Sequence, residues 1–274
     1  MMLSRRVSLW VGLTACVVAC VRTPVTNRAQ FSLIPDGIMR GLGGATYDDM
    51  LQGERVLKKT EDAELLRSVG RRIARVADVP SYDWSFALIK EDDTVNAWCL
   101  PGGKIGFYTG ILPALRNEAG MAFVMGHEVA HATAHHSAER LSQQVALLGG
   151  LVGLELYLAK NSEMELEQRA ALYGALGVGA AVGVVLPFSR FHESEADSIG
   201  VMYMARAGYP PRESIRVWER MEAEQDGFAI PAFLSTHPSH ERRQVRLEEW
   251  MGRANKRYQR NALPRETQKA LWSK

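Results

Sequence analysis

The sequence predicts an α+β fold, mainly helical, with a small β-sheet or hairpin ahead of a helix that carries a histidine cluster. Two observations predict it. The run Trp84-Ser85-Phe86-Ala87-Leu88-Ile89 alternates like a half-buried strand, and Val95 to Cys99 and Lys104 to Tyr108 flank the turn-rich Leu100-Pro101-Gly102-Gly103, as in a hairpin. Elsewhere helical spacing dominates: Leu65, Leu66, Val69 and Ile73 share one face of a stretch from Asp62 to Val76, and Met121, Val124, Met125, Val129 and Ala132 share another. At 274 residues and 46% hydrophobic content, the chain is long enough to bury a core of one large domain or two small ones.

The first segment reads as an export signal. Met1 to Arg6 is short and basic, and Val7 to Ala19 is apolar but short for a membrane span. Residues 1–19 are thus a lipoprotein signal peptide if Cys20, in Val-Val-Ala-Cys, is the lipidated residue; Cys16, in Leu-Thr-Ala-Cys, is the alternative, and an uncleaved anchor or ordinary signal peptide is a third reading. The expected location follows: the bacterial cell envelope, facing the periplasm, with a lipid anchor in the outer membrane in preference to the inner. Cys99 is then left with no thiol partner. With Arg5 and Arg6 removed, the basic residues just balance the 31 acidic ones, which gives no reason to invoke nucleic acid.

Residues 20–45, with Pro24, Pro35 and several glycines, read as a linker. Asn117 can cap the next long helix, with Glu118 placed favourably in its first turn. That helix carries His127-Glu128-Val129-Ala130-His131. Residues four apart face the same way, so both imidazoles reach one metal, while Glu128 lies beside the open coordination position; the run reads as a catalytic zinc site. His135 continues the face but sits too far along the axis to join the same ion. His135, His136, His192 and His240 are read as packing or surface residues.

The apolar stretches Val145 to Ala159 and Ala170 to Pro187 follow. The second is near the minimum length for a membrane span, but its many glycines and alanines favour a pair of buried or surface-lying helices closing over the active site.

A third zinc ligand has to come from elsewhere. A glycine at 134 and a histidine at 137 would mark one large protease class, but these are Ala134 and Ser137. Downstream, Glu193 and Asp197 share a helix face, so Glu193 can bind the metal while Asp197 accepts a hydrogen bond from a liganding imidazole. The alternative for this run is a solvated acidic face, and Glu195 is read that way.

Together the His127 to His131 run, the Glu193 to Asp197 spacing, Asn96-Ala97 with Leu100-Pro101-Gly102-Gly103, and Thr236-His237-Pro238 followed by Arg243 resemble the M48 family of zinc metallopeptidases. Within it, Cys20 followed by the Pro24 to Arg28 run, and the Ser235 to His240 run, are similar to bacterial lipoprotein members and to their mitochondrial inner-membrane quality-control relatives, although Asn27 stands where glycine is expected. The resemblance implies a zincin-type metallopeptidase domain over residues 46–255, with 256–274 as a C-terminal tail. It implies one Zn2+ held by His127, His131 and Glu193, and Glu128 as the general base. His237 would approach the zinc site as oxyanion donor or as occupant of the open position, with Arg243 bracing its segment and Arg190 pairing with an active-site carboxylate. Asn96, Ala97 and Trp98 would bind substrate as an added strand. The implied activity is endopeptidase cleavage of unfolded or misfolded envelope proteins; the alternative is a latent or inactive member that acts as a chaperone-like scaffold. No oligomeric state follows from these residues.

Overall fold

The computed structural model describes residues 21–180, 186–223, 232–237 and 241–263. The expected signal segment with Cys16 and Cys20, His240, and residues 264–274 lie outside the described residues.

The N-terminal stretch forms a two-residue ladder of β1 (Val21–Arg22) and β2 (Ala29–Gln30), then helix α1 (Asp36–Leu51). Part of the expected linker is therefore helical. Pro35 starts α1, where a missing N–H costs nothing, and the glycines that suggested a linker serve packing instead. A β-carbon on Gly43 would sit 2.0 Å from the Pro101 carbonyl oxygen, so only glycine lets α1 lie on the 100–103 turn.

Strand β3 (Val56–Leu57) precedes α2 (Glu61–Ala77), which Thr60 caps by accepting from the Ala63 N–H and which ends on a left-handed Asp78. Its apolar face, Leu66, Val69 and Ile73, is fully buried, each side chain stabilising the fold by about 1.5–3 kcal/mol. Strands β4 (Ser85–Ile89), β5 (Ala97–Leu100) and β6 (Lys104–Tyr108) follow. The sheet order is β3-β4-β6-β5: β5 and β6 form the expected antiparallel hairpin, β4 runs parallel to β6, and β5 is an edge.

A 3-10 turn, Thr109–Ile111, and short α3 (Leu112–Leu115) lead to α4 (Glu118–Thr133), capped by Asn117 through the Gly120 N–H. Every residue of α4 except His131 is buried, so the histidine helix runs through the core and not along its surface. Helices α5 (His136–Asn161) and α6 (Leu166–Ala180) form the apolar pair, and α7 (Leu186–Arg206) returns to pack along α4 in the most extensive contact of the fold. The apolar pair is not buried: Val145, Leu148, Val152, Leu156 and Tyr157 of α5 and Leu166 and Leu176 of α6 are exposed. Helices α8 (Glu213–Ala223), α9 (Ala232–Thr236) and α10 (Glu241–Asn261) close the domain, α10 lying against α7.

Candidate metal centre

Helix α4 brings His127 and His131 to one side, one turn apart, and α7 crosses it so that Glu193 faces both. His127 Nε2 lies 3.1 Å from His131 Nε2, and the carboxylate oxygens of Glu193 lie 3.4 Å from each of those nitrogens. A tetrahedral zinc with ligands at 2.0–2.1 Å has edges of about 3.3 Å, so the two imidazole nitrogens and the Glu193 carboxylate, which faces His127 with Oε2 and His131 with Oε1, stand at the spacing of three ligands of such a site. His237 supplies a fourth: its Nδ1 is 3.2 Å from His127 Nε2 and 2.9 Å from Glu193 Oε2. All four donor groups lie within 4.8 Å of one another, and two nitrogens, a carboxylate and a further imidazole suit zinc.

Glu128 points into the same space. Its Oε1 is buried without a hydrogen-bond partner among the described residues, and it lies 3.4 Å from His237 Nε2. Burial raises its pKa, against the opposing pull of His237 and His127, which suits a carboxylate that has to take and return a proton near neutral pH.

The outer face of His127 is held by Asp197, whose Oδ1 is 2.9 Å from Nδ1; the Nε2 lone pair is thereby directed at the metal position. Arg243 clamps Asp197 with two bonds of 2.6 and 2.8 Å, donates to the His237 carbonyl at 3.2 Å and lies over the Trp218 ring at 4.0 Å. One buried guanidinium thus ties α10 to α7 and to the His237 segment. Burial alone would lower the pKa of His127, but Asp197 and Glu193 raise it to about 9. Glu193 and Asp197 are held low although burial opposes it: His131 and His237 act on Glu193, Arg243 and His127 on Asp197. His131, with no carboxylate on its outer nitrogen, is pushed well below the usual value by burial.

Three expectations need correction. Arg190 is exposed near the start of α7, and no ion pair of its side chain with an active-site carboxylate is seen among the described residues; Arg243 takes that place. Glu195 is not solvated but buried, accepting from Thr23, Thr26 and Arg28. His136 and His192 are not idle packing residues: His136 Nδ1 meets His131 Nδ1 at 2.9 Å, His136 Nε2 meets Glu195 at 3.1 Å, and His192 Nε2 meets Glu139 at 3.0 Å. Sequence reasoning missed Glu139, and read Arg28 only as the end of the Pro24 to Arg28 run and not as a partner of Glu139 and Glu195. A usable signal was present, since acids and histidines at one-turn spacing in otherwise apolar helices have to be paired once buried.

Asn96, Ala97 and Trp98 run into edge strand β5. Asn96 Oδ1 accepts from the Ala97 N–H at 2.9 Å, and the Trp98 ring lies against Gly106, where a β-carbon would be 2.2 Å away.

A sequence profile for peptidase family M48 matches residues 60–251. This chain belongs to peptidase family M48. The reading of a zinc metallopeptidase with a mainly helical α+β domain stands with that membership. Among M48 relatives, the chain is similar to the mitochondrial metalloendopeptidase OMA1 of Schizosaccharomyces pombe, 36% identical over 236 residues, covering 84% of this chain and 66% of that protein. OMA1 of Saccharomyces cerevisiae is 32% identical over 258 residues, covering 88% of this chain and 71% of that protein. The β-barrel assembly-enhancing protease of Escherichia coli K12 is 29% identical over 198 residues, covering 70% of this chain but 39% of that protein.

These relatives overturn the expected location. The bacterial periplasmic and outer-membrane placement rested on a basic start, an apolar run and a cysteine, a pattern that does not by itself name a compartment. The yeast and plant M48 proteins that match at 32–36% identity are mitochondrial, and the bacterial protease matches less closely.

Proposed function

We propose that the chain is a zinc endopeptidase that cleaves unfolded or flexible polypeptide segments, with His127, His131 and Glu193 holding the metal. The observation that carries this reading is the set of three donor groups, with the two imidazole nitrogens 3.1 Å apart and each 3.4 Å from an oxygen of Glu193, and beside it the Glu128 Oε1 that has no hydrogen-bond partner among the described residues. When bound, zinc supplies a Lewis acid that polarises the scissile carbonyl and acidifies water. Glu128 takes the proton of the attacking water and returns it to the leaving amine. Asp197 fixes the His127 tautomer, and Arg243 holds Asp197 and the His237 carbonyl in place. Edge strand β5, entered from Asn96, offers backbone hydrogen bonds to an extended peptide, so selection falls on segments that can adopt an added strand more than on their side chains. Changing Glu128→Gln in the full chain should leave zinc content intact and abolish cleavage of an unfolded protein; retained cleavage overturns the assignment.

A second reading is a latent state. His237 Nδ1 stands at the fourth corner of the donor set, where the attacking water has to sit, and its ring is stacked on Phe233 at 4.6 Å. In that arrangement His237, next to α9, acts as a brake that substrate has to displace.

A further inference from the structure

The two metal-facing imidazoles are held from behind in different ways. For His127 the outer nitrogen meets a carboxylate and an arginine directly, Asp197 and Arg243. For His131 the outer nitrogen meets another imidazole: its Nδ1 is 2.9 Å from His136 Nδ1, His136 Nε2 is 3.1 Å from Glu195 Oε2, and Glu195 is bound by Arg28 Nε at 2.9 Å, Thr23 Oγ1 at 3.1 Å and Thr26 Oγ1 at 2.5 Å. The same guanidinium binds Glu139 at 2.9 and 2.7 Å, and Glu139 binds His192, whose ring stacks on His136 at 4.2 Å. Only one arrangement of protons satisfies this chain. If His131 presents a bare Nε2 to the metal, its Nδ1–H donates to His136 Nδ1, which leaves the His136 proton on Nε2 to donate to the Glu195 carboxylate.

We infer that Arg28, Glu195 and His136 are positioning residues for the metal ligand His131, so that the Thr23–Arg28 segment of the N-terminus sets the tautomer and ring orientation of a ligand more than one hundred residues away. This rests on the zinc reading above. The test is zinc affinity by chelator competition, and the visible absorption spectrum of the cobalt-substituted full chain, for His136→Ala, Glu195→Gln and Arg28→Lys. The expected result is a loss of zinc affinity of roughly 10–100-fold for the first two, an altered cobalt spectrum, and a smaller loss for Arg28→Lys, which keeps the charge. The control is Tyr209→Phe, which removes a buried 2.7 Å bond to Glu118 away from the site and should lower thermal stability without changing zinc affinity. Wild-type zinc affinity and cobalt spectrum in His136→Ala and Glu195→Gln overturn the inference. A wild-type chain that binds no zinc overturns the zinc reading instead.

A second inference rests on different residues. Only the first turns of α5 are buried, through His136, Ala138, Glu139 and Ser142. Taken whole, α5 (His136–Asn161) is long and apolar enough to cross a membrane, and 6% of its most apolar 18-residue stretch is buried, so that stretch is not a core helix; beginning at residue 136, it is not a leader sequence either. Eighteen residues at 1.5 Å per residue span about 27 Å, close to the hydrocarbon thickness of a bilayer. Glu155, the one charged residue from Val145 to Ala159, is matched within the pair by Arg169 at 3.1 Å and the Tyr173 hydroxyl at 2.5 Å. The far end carries Lys160, Glu163, Glu165 and Glu167.

The geometry points to a lipid bilayer as the occupant of the α5–α6 surface, with its polar end beyond the hydrocarbon layer. The test uses the full chain with Cys16→Ser, Cys20→Ser and Cys99→Ser, labelled with a fluorophore at Val152→Cys or at Glu163→Cys and mixed with phosphatidylcholine–phosphatidylglycerol vesicles bearing nitroxide acyl chains. Strong quenching at 152 with little at 163 is expected. A label at 152 that stays unquenched on vesicle-bound protein, or that is shielded without lipid by self-association, overturns the inference.

Discussion

Gly126 of α4 and Gly200 of α7 meet backbone to backbone: a β-carbon on Gly200 would lie 2.8 Å from the His127 amide nitrogen, and one on Gly126 would lie 2.8 Å from the Gly200 carbonyl oxygen. The crossing is adjacent to His127, and Glu193 lies two turns before Gly200, so the glycine pair sets the distance between the imidazoles and the carboxylate.

Gly200→Ala should therefore loosen the site as well as the core. Overpacking of this kind costs about 1–3 kcal/mol, and the wider crossing should weaken zinc binding in parallel. Urea unfolding with zinc titration checks both; wild-type values for the pair would show that the helices can separate without consequence.

Removing Arg243 leaves the buried Asp197 without its guanidinium partner and held by His127. Arg243→Ala should cost about 3–5 kcal/mol, far more than an exposed ion pair, and Arg243→Lys should recover part of it because a lysine cannot make both bonds. The urea midpoint reads the difference, and a loss below about 1 kcal/mol would contradict the clamp.

His237→Ala should raise the cleavage rate on an unfolded substrate at unchanged zinc content, because the fourth corner is freed. A fall in rate at equal zinc content would assign His237 to the oxyanion and not to a brake.

Acid should act through Glu139. Burial opposes its ionisation, but His192 and Arg28 hold its pKa down to about 2 from an ordinary 4.5. A carboxylate depressed by folding contributes stability above its unfolded value and loses that contribution as the pH falls towards the folded value. The window is thus about pH 4.5 down to 2, and the contribution about 1–3 kcal/mol after solvent screening. Glu139→Gln should flatten the fall of the urea midpoint across that window; an unchanged slope would remove Glu139 from the account.

The elements legible in the sequence are those encoded at short range. The α4 cap at Asn117, the β5–β6 hairpin and the apolar face of α2 follow from periodicity and turn residues, and the four-residue spacings of His127 with His131 and of Glu193 with Asp197 are properties of any helix. Helix α1 was obscured because its glycines resemble a linker until the Pro101 turn is seen lying on Gly43. The Arg190 reading misplaced a charge by choosing an arginine near in sequence, where Arg243, 46 residues from Asp197, is near in space.

By itself the sequence determined the chemistry: a helix with two imidazoles and a glutamate, a second helix with two carboxylates, and the M48 pattern joining them. The tertiary structure decided which groups stand behind that chemistry. Arg28 reaches Glu139 across 111 positions and Glu195 across 167, His136 turns from a neighbour of the motif into a partner of His131, and α5, readable from sequence as either buried or surface-lying, exposes its apolar residues. The physical reason is that spacing along a helix or strand is fixed by local backbone geometry. The pairing of buried charges and the exposure of apolar faces depend instead on which helices cross and how closely, and here two glycines permit that crossing.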